Sequence, residues 1–198
     1  MKSAKNMGTV RKDGRLQLVA LGANVSANGE PLTQNLSHAI KAISDSGFDL
    51  RAVSRFFSTP CFPAGVGPDY VNAALVVRTV LTPSQSLERL HEIEAQFGRK
   101  RVQRWGQRTL DLDLIGVGDD VLPDEAEYHR WRALDPALQA QAAPDRLILP
   151  HPRLQDRAFV LVPLVDIARH WPHPVLGETL EQLLSRLPQQ DLAEVVPL

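Results

Sequence analysis

Two aspartates one residue apart, Asp111 and Asp113, lie inside the run LDLDLI at 110–115. Side chains of an extended strand alternate between faces, so both carboxylates leave one side while Leu110, Leu112 and Leu114 leave the other. The leucines then belong to a core and the aspartates to a site. Two strand positions span about 6.6 Å, which lets the carboxylates converge on a pair of divalent ions about 3.5–4 Å apart. Hard oxygen donors of this kind select magnesium. Just upstream, Arg99, Lys100, Arg101, Arg104 and Arg108 place five cations in ten residues, and no acid occurs between Ala95 and Leu110. One reading is a solvated loop whose arginines pair with the aspartates. The other is that both sets serve one polyphosphate, the carboxylates through magnesium and the guanidiniums by bidentate hydrogen bonds. Trp105 and Gly106 add an aromatic face and a close backbone approach. No GxxxxGK[ST] run occurs, so a P-loop is not the vehicle.

The elements that must position these groups follow from periodicity. Leu16 to Gly22 is short, apolar and flanked by glycine, which predicts a buried strand. Leu32, Leu36, Ile40 and Ile43 recur at helical spacing, with Pro31 expected at the first helical position and Gly47 at the stop. Alternation from Phe48 to Phe57 predicts a second strand, and a loop with three prolines runs from Ser58 to Pro68. Tyr70 to Val80 predicts a third strand. Thr82 and Pro83 then cap a helix whose apolar face is Leu87, Leu90, Ile93 and Phe97, closed by Gly98. Leu110 to Val117 is the fourth strand. The order βαββαβ is that of a ferredoxin-like α+β unit, one sheet with both helices packed on one face. Helical segments are also expected within Ala158 to Ile167 and after Thr179. Residues 1–14 read as a loose tail, 15–198 as a single domain and 116–146 as an insertion or lid.

Composition limits the function classes. In 198 residues, 43% hydrophobic and 23% charged, there is material for a real core. Twenty-two basic against 23 acidic residues leave a net charge of −1, so no global field attracts nucleic acid or anionic membrane. A single cysteine, Cys61, excludes an internal disulfide and points to a reducing cytoplasm. No apolar run reaches the roughly 18 residues of a membrane span. A monomer is the default.

The run RWGQRTLDLDLI at 104–115 closely resembles the signature of the 6-hydroxymethyl-7,8-dihydropterin pyrophosphokinase family. LGAN at 21–24, STP at 58–60, DYVNAA at 69–74, EIEAQFGR at 92–99, and Pro150-His151 followed by Arg157 and Phe159 occur in the family's order. The resemblance implies pyrophosphoryl transfer from ATP to a pterin alcohol, with AMP leaving, in folate biosynthesis. It implies that Asp111 and Asp113 bind two magnesium ions and that Arg99 and Arg108 are catalytic arginines at the phosphates. Arg101, Arg104 and Trp105 match positions near the nucleotide and a mobile loop, and His151 and Arg157 match further ATP contacts. Glu94, His91 and Arg146 match weaker nucleotide-side positions. For the pterin, Tyr70 and Phe159 match an aromatic sandwich, Asn72 matches an amide that reads the ring's edge, and Thr59, Pro60 and Phe62 match loop contacts, with Trp105 closing over the ring.

Two departures from the compact family pattern stand out, the longer stretch between the fourth strand and PHPRL and the N-terminal extension. Pro152 also stands where compact members can carry an aromatic. The rival readings are an inactive homologue kept as an interaction protein and a ferredoxin-like RNA-binding module. An acidic pair at the centre of the site repels phosphate unless metal is present, and the sheet lacks an RNP-type aromatic motif. Cys61, His38, His129, His170 and His173 receive no functional reading.

Overall fold

The computed structural model describes residues 14–26, 28–61, 67–98, 108–135, 138 and 144–198. Of the expected tail at 1–14, residues 1–13 lie outside them. Strand β1 (Arg15–Ala23) is central and antiparallel to both β4 (Tyr70–Thr79) and β5 (Asp111–Val117). The outer edge of β4 is shared by β2 (Asp49–Val53) and β3 (Phe57–Thr59), and β3 pairs with β6 (Val196–Pro197). The six strands form one antiparallel sheet in the order β5-β1-β4-β3-β6, with β2 beside β3 on β4. The expected second strand from Phe48 to Phe57 is therefore two strands. Ser54 breaks it: its hydroxyl donates to the Arg55 carbonyl and accepts from the Ala74 amide, a side-chain substitute for ladder pairing.

Each face of the sheet is sealed by its own helices. Val19, Leu21, Val71, Leu75, Leu112 and Leu114 pack against Leu36 and Ile43 of α1 (Leu32–Asp45) and Leu90 and Ile93 of α2 (Pro83–Gln96). The second face carries Leu18, Ala20, Ala74 and Ile115 against Val160, Leu161 and Leu164 of α4 (Ala158–Ala168) and Leu180 and Leu183 of α5 (Leu180–Leu184). The first two helices share one face as expected, and the C-terminal helices make a third layer. Between them, α3 (Glu125–Arg132) lies in the segment read as an insertion, and a short α6 (Gln189–Ala193) precedes β6.

Local chemistry explains the helix starts. Thr82 accepts from the Gln85 amide while the Gln85 side chain accepts from the Thr82 amide, and Thr179 with Gln182 repeats this reciprocal cap. Pro31 is the cap of α1 rather than its first helical residue, because its carbonyl already accepts from Gln34 and Asn35.

Strand β5 contains a bulge. Leu18 pairs with Gly116 and Val19 with Leu114, leaving Ile115 without a partner across the ladder. A bulge puts two successive residues on one side, so Asp111, Asp113, Ile115 and Gly116 share the α4 face while Leu112, Leu114 and Val117 stay on the α1/α2 face. Gly116 lies under Trp171, where an added Cβ would come 2.9 Å from the indole. Gly116→Ala is expected to cost about 1–3 kcal/mol by overpacking. Thermal unfolding checks this, with a fall of roughly 2–4 °C for each kcal/mol.

Candidate active site

The α4 face is filled by apolar side chains over most of the sheet, but at the end formed by the starts of β4 and β5 it turns polar. Asn72 and Asp111 sit across from Gly22 on its two neighbouring strands. Asp113 is one pleat further along, paired with Ala20. Gly22 has no side chain to fill the row: an added Cβ would stand 2.9 Å from Asn72 Oδ1 and 3.9 Å from the Tyr70 ring. The missing side chain lets the Asn72 amide lie over Gly22, with the Tyr70 ring on the same side and Asp111 on the other, a narrow slot lined by an amide, a phenol and a carboxylate. A glycine inside a strand marks such a close approach.

The slot's walls are held by side-chain bonds to backbone. Asn72 is buried and its amide donates to Thr59 Oγ1 at 2.8 Å, tying β4 to the end of β3. Asn24 accepts from the Arg108 amide at 2.8 Å while its own amide donates to the Arg108 carbonyl at 3.0 Å, and its side chain also donates to the Pro68 carbonyl. Asn35 of α1 donates to the Thr109 carbonyl at 2.6 Å. Two asparagines thus fix the turn into β5 and with it Arg108. The Arg108 guanidinium is ion-paired with Asp111. Burial works against its charge, but Asp111, Tyr70 and Asp113 together raise its pKa, so it is a fixed cation.

Glu94 is buried, and its carboxylate accepts from the Leu112 amide at 2.7 Å. That contact comes from α2, on the opposite side of β5 from the aspartate carboxylates, and makes Glu94 a clamp on the strand. His151 is joined to the same strand, its amide donating to the Ile115 carbonyl at 2.8 Å. Its Nδ1 accepts from the Arg153 amide at 3.1 Å, which leaves Nε2 to carry the proton of a neutral ring. Burial first, then Arg157 and Arg153, push its pKa down to about 3. Arg157 caps α4, and its pKa is lowered by burial first, against the opposing pull of Asp113 and Asp111. It remains cationic, since a guanidinium holds its proton far more tightly than any other side chain. Its guanidinium lies 5.8 Å over the ring of Phe159, which is 42% exposed.

The structure therefore gathers Asp111, Asp113, Arg108, His151, Arg157, Asn72, Tyr70 and Thr59 at one end of one sheet face. Pro60 follows Thr59 at the exposed start of the loop, and His91 is half-buried on α2. Arg146 is on the surface beside Asp145 at 3.7 Å, with its charge felt by Glu127 of α3. Arg99, Arg101, Arg104, Trp105 and Phe62 lie outside the described residues. Gly22, Asn24 and Asn35 were not singled out as site residues, although a glycine interrupting an apolar strand signals Gly22. Nothing in a linear reading signals that Asn35, on a helix, reaches the Thr109 carbonyl.

The donor set suits a hard divalent cation. Two half-buried carboxylates on one face offer anionic oxygens, and magnesium keeps water and phosphate as its remaining ligands. Among the described residues no group of three or more His, Cys, Asp or Glu side chains is gathered as a metal cluster.

A mixed α/β layer fold that brings two carboxylates and two guanidiniums to one end of a sheet face has the charges needed to hold a polyphosphate. The sequence pattern of the 7,8-dihydro-6-hydroxymethylpterin-pyrophosphokinase family (HPPK) matches residues 18–169, and the chain belongs to that family. It is 37% identical over 171 residues to the 2-amino-4-hydroxy-6-hydroxymethyldihydropteridine pyrophosphokinase of Synechocystis, covering 86% of this chain and 75% of that one. It is 36% identical over 151 residues to the Haemophilus influenzae enzyme of the same name, covering 76% and 79%. Among solved structures it resembles wild-type Plasmodium falciparum HPPK-DHPS with a TM-score of 0.60 and 14% identity, a likeness of fold. The match covers 89% of this chain and 46% of that one, so this chain spans less than half of that structure.

Neutral burial of histidine makes stability pH-dependent. His151 and His173 have folded pKa values near 3 and 4 against an ordinary 6.5. Below 6.5 the unfolded chain takes up protons that the folded chain refuses, so this stability is complete above about pH 6.5 and is lost as pH falls, through about 4 for His173 and about 3 for His151. Urea unfolding is expected to give a lower midpoint at about pH 5 than at pH 7.5, with a smaller difference in His151→Gln.

Proposed function

We propose that this chain transfers the pyrophosphoryl group of ATP to 6-hydroxymethyl-7,8-dihydropterin, releasing AMP. The observation that carries the reading is the convergence of Asp111, Asp113, Arg108 and Arg157 beside the Asn72–Gly22 slot, in a chain of this family. The pterin occupies the slot, its hydrogen-bonding edge read by Asn72, Thr59 and the loop beginning at Pro60. Its faces are held by Tyr70 and Phe159, with Phe62 and Trp105 completing the enclosure. ATP lies along Arg108, His151 and Arg157, with Arg99, Arg101 and Arg104 of the basic run and Arg146 as further cationic contacts. Glu94 acts at one remove, by fixing β5, and His91 lies on the same helix.

Asp111 and Asp113 would hold two magnesium ions. When bound, magnesium neutralises phosphate oxygens and polarises the attacking hydroxyl. The chain's own residues orient the reactants. Arg108 exchanges its bond to Asp111 for phosphate oxygens as the nucleotide enters, and Arg99 meets the charge that develops on the leaving AMP. His151 donates from Nε2 as a neutral group, so it adds a hydrogen bond without competing for the cations. In-line attack of the hydroxymethyl oxygen on the β-phosphorus needs no covalent enzyme intermediate.

We read the chain as a single domain, 15–198, carrying 116–146 as an insertion, and as a cytoplasmic monomer that binds neither nucleic acid nor membrane. The near-neutral composition supports this, and among the described residues no helix is long and apolar enough to cross a membrane.

Two measurements test the reading. With ATP and magnesium, AMP release is expected to require the pterin alcohol and to fall by at least about a hundredfold in Asp111→Ala, about 2.7 kcal/mol of barrier. Pterin binding without AMP release points instead to an inactive homologue, and absence of both overturns the assignment. In Gly22→Ala the added methyl displaces the Asn72 amide, so pterin affinity is expected to drop about tenfold or more, an amount set by loss of one buried hydrogen bond plus a clash. Affinity for ATP is expected to change little, which titration with each ligand checks.

A further inference from the structure

A chain of buried polar side chains runs from the insertion to the turn that carries His151, and none of its members belongs to the chemistry above. Tyr128 of α3 and His173 have no exposed surface, and Gln155 is 9% exposed. Tyr128 Oη lies 3.1 Å from His173 Nε2 and 3.4 Å from Gln155 Oε1. The Gln155 amide nitrogen is 2.9 Å from the Pro152 carbonyl and 2.9 Å from Asp156 Oδ2. His173 Nδ1 accepts from the Val175 amide at 3.2 Å and the Leu176 amide at 3.1 Å.

These partners leave one consistent direction. With Nδ1 used as an acceptor, the single proton of the neutral ring is on Nε2 and is donated to the Tyr128 oxygen. Burial first, then Arg132, lowers the His173 pKa to about 4, and burial first raises that of Tyr128 to about 12, so both stay neutral. Tyr128 then donates its own proton to Gln155 Oε1. That contact fixes the Gln155 flip, with the oxygen toward Tyr128 and the nitrogen toward Pro152 and Asp156. The last bond falls within the turn His151–Arg157, which is also tied by the Leu154 amide to the His151 carbonyl at 2.9 Å, the Arg153 amide to His151 Nδ1 at 3.1 Å, the Asp156 amide to the Arg153 carbonyl at 3.3 Å and the Arg153 side chain to Asp156 at 3.0 Å.

We propose that Tyr128 and Gln155 are positioning residues for nucleotide phosphate binding. The oriented relay His173–Tyr128–Gln155 braces the turn that presents His151 and Arg157, and α3 thereby takes part in the site. The inference rests on the assignment of His151 and Arg157 to the nucleotide. A buried network with every member satisfied holds one geometry, and removal of one donor leaves the next acceptor unpaired.

The test uses the full chain with Tyr128→Phe, which removes only the hydroxyl, and Gln155→Met, which keeps the length and removes the amide. KM for ATP, and the Kd for a non-hydrolysable ATP analogue with magnesium by calorimetry, are expected to rise about five- to tenfold in each, the size of one buried hydrogen bond. Pterin Kd and kcat stay within about twofold of wild type, since nothing in the relay reaches the slot. A fall in thermal midpoint with unchanged ATP and analogue affinity makes the relay purely structural and overturns the proposal, as does equal weakening of both ligands. Gln155→Met leaves the Tyr128–His173 bond intact, so it decides the matter if Tyr128→Phe fails to fold. Wild-type protein that binds the analogue but makes no AMP, with both variants still weakened, overturns the reaction and keeps the positioning role. Wild-type protein that binds no analogue overturns both.

Discussion

The outer edge of β5 is the constraint from which the site hangs. Among the described strands β5 ends the sheet, so half of its amides and carbonyls have no strand to meet, and buried backbone groups of this kind need partners. Glu94 supplies one by accepting from the Leu112 amide, and His151 supplies another by donating to the Ile115 carbonyl. Both therefore have a structural reason to lie beside Asp111 and Asp113. Closing the edge with side chains and a turn, instead of a further strand, leaves the carboxylate face open at its end.

The two faces of β5 have opposite demands. Leu112 and Leu114 seal the core under α1 and α2, while Asp111 and Asp113 stay half-buried at the rim of the second layer. A carboxylate pair held this close is costly without compensating charge. Arg108 and Arg157 provide it from two directions, the first placed by Asn24 and Asn35, the second by the start of α4. Arg108 is placed by the backbone bonds of its turn as well as by its ion pair with Asp111. The bulge at Ile115 then restores the core register, which lets Val117 turn inward after the aspartates have faced out.

The segment between β5 and Pro150 illustrates how added chain becomes part of a fold. Tyr128, Trp131 and Ile148 form a small core of their own. The antiparallel bridge of Leu122 with Leu149 closes its base. Those contacts account for its stability. The polar relay through His173 and Gln155 is additional to this apolar core. What the relay adds is a fixed orientation for the turn at His151.

Much of the fold and half of the site were legible in the residues taken in order. Alternation placed Asp111 and Asp113 opposite the leucines because a strand has a period of two whatever surrounds it. Thr82-Pro83 and Thr179 announced their helices because capping is a local bond. The order of the family's blocks drew Tyr70, Asn72, His151 and Arg157 out of the sequence as a set. Three things were decided only by tertiary structure. The break of the second strand at Ser54 depends on a bond to the Ala74 amide, twenty residues away. The slot at Gly22 exists because Asn72 and Asp111 arrive on either side of it from different strands. The Nδ1 of His173 is met by its neighbours Val175 and Leu176, but its Nε2 meets Tyr128 only because the insertion helix is brought to it, across 45 residues. Periodicity and caps are properties of neighbouring residues, and cross-strand slots and buried relays are properties of residues that only folding brings together.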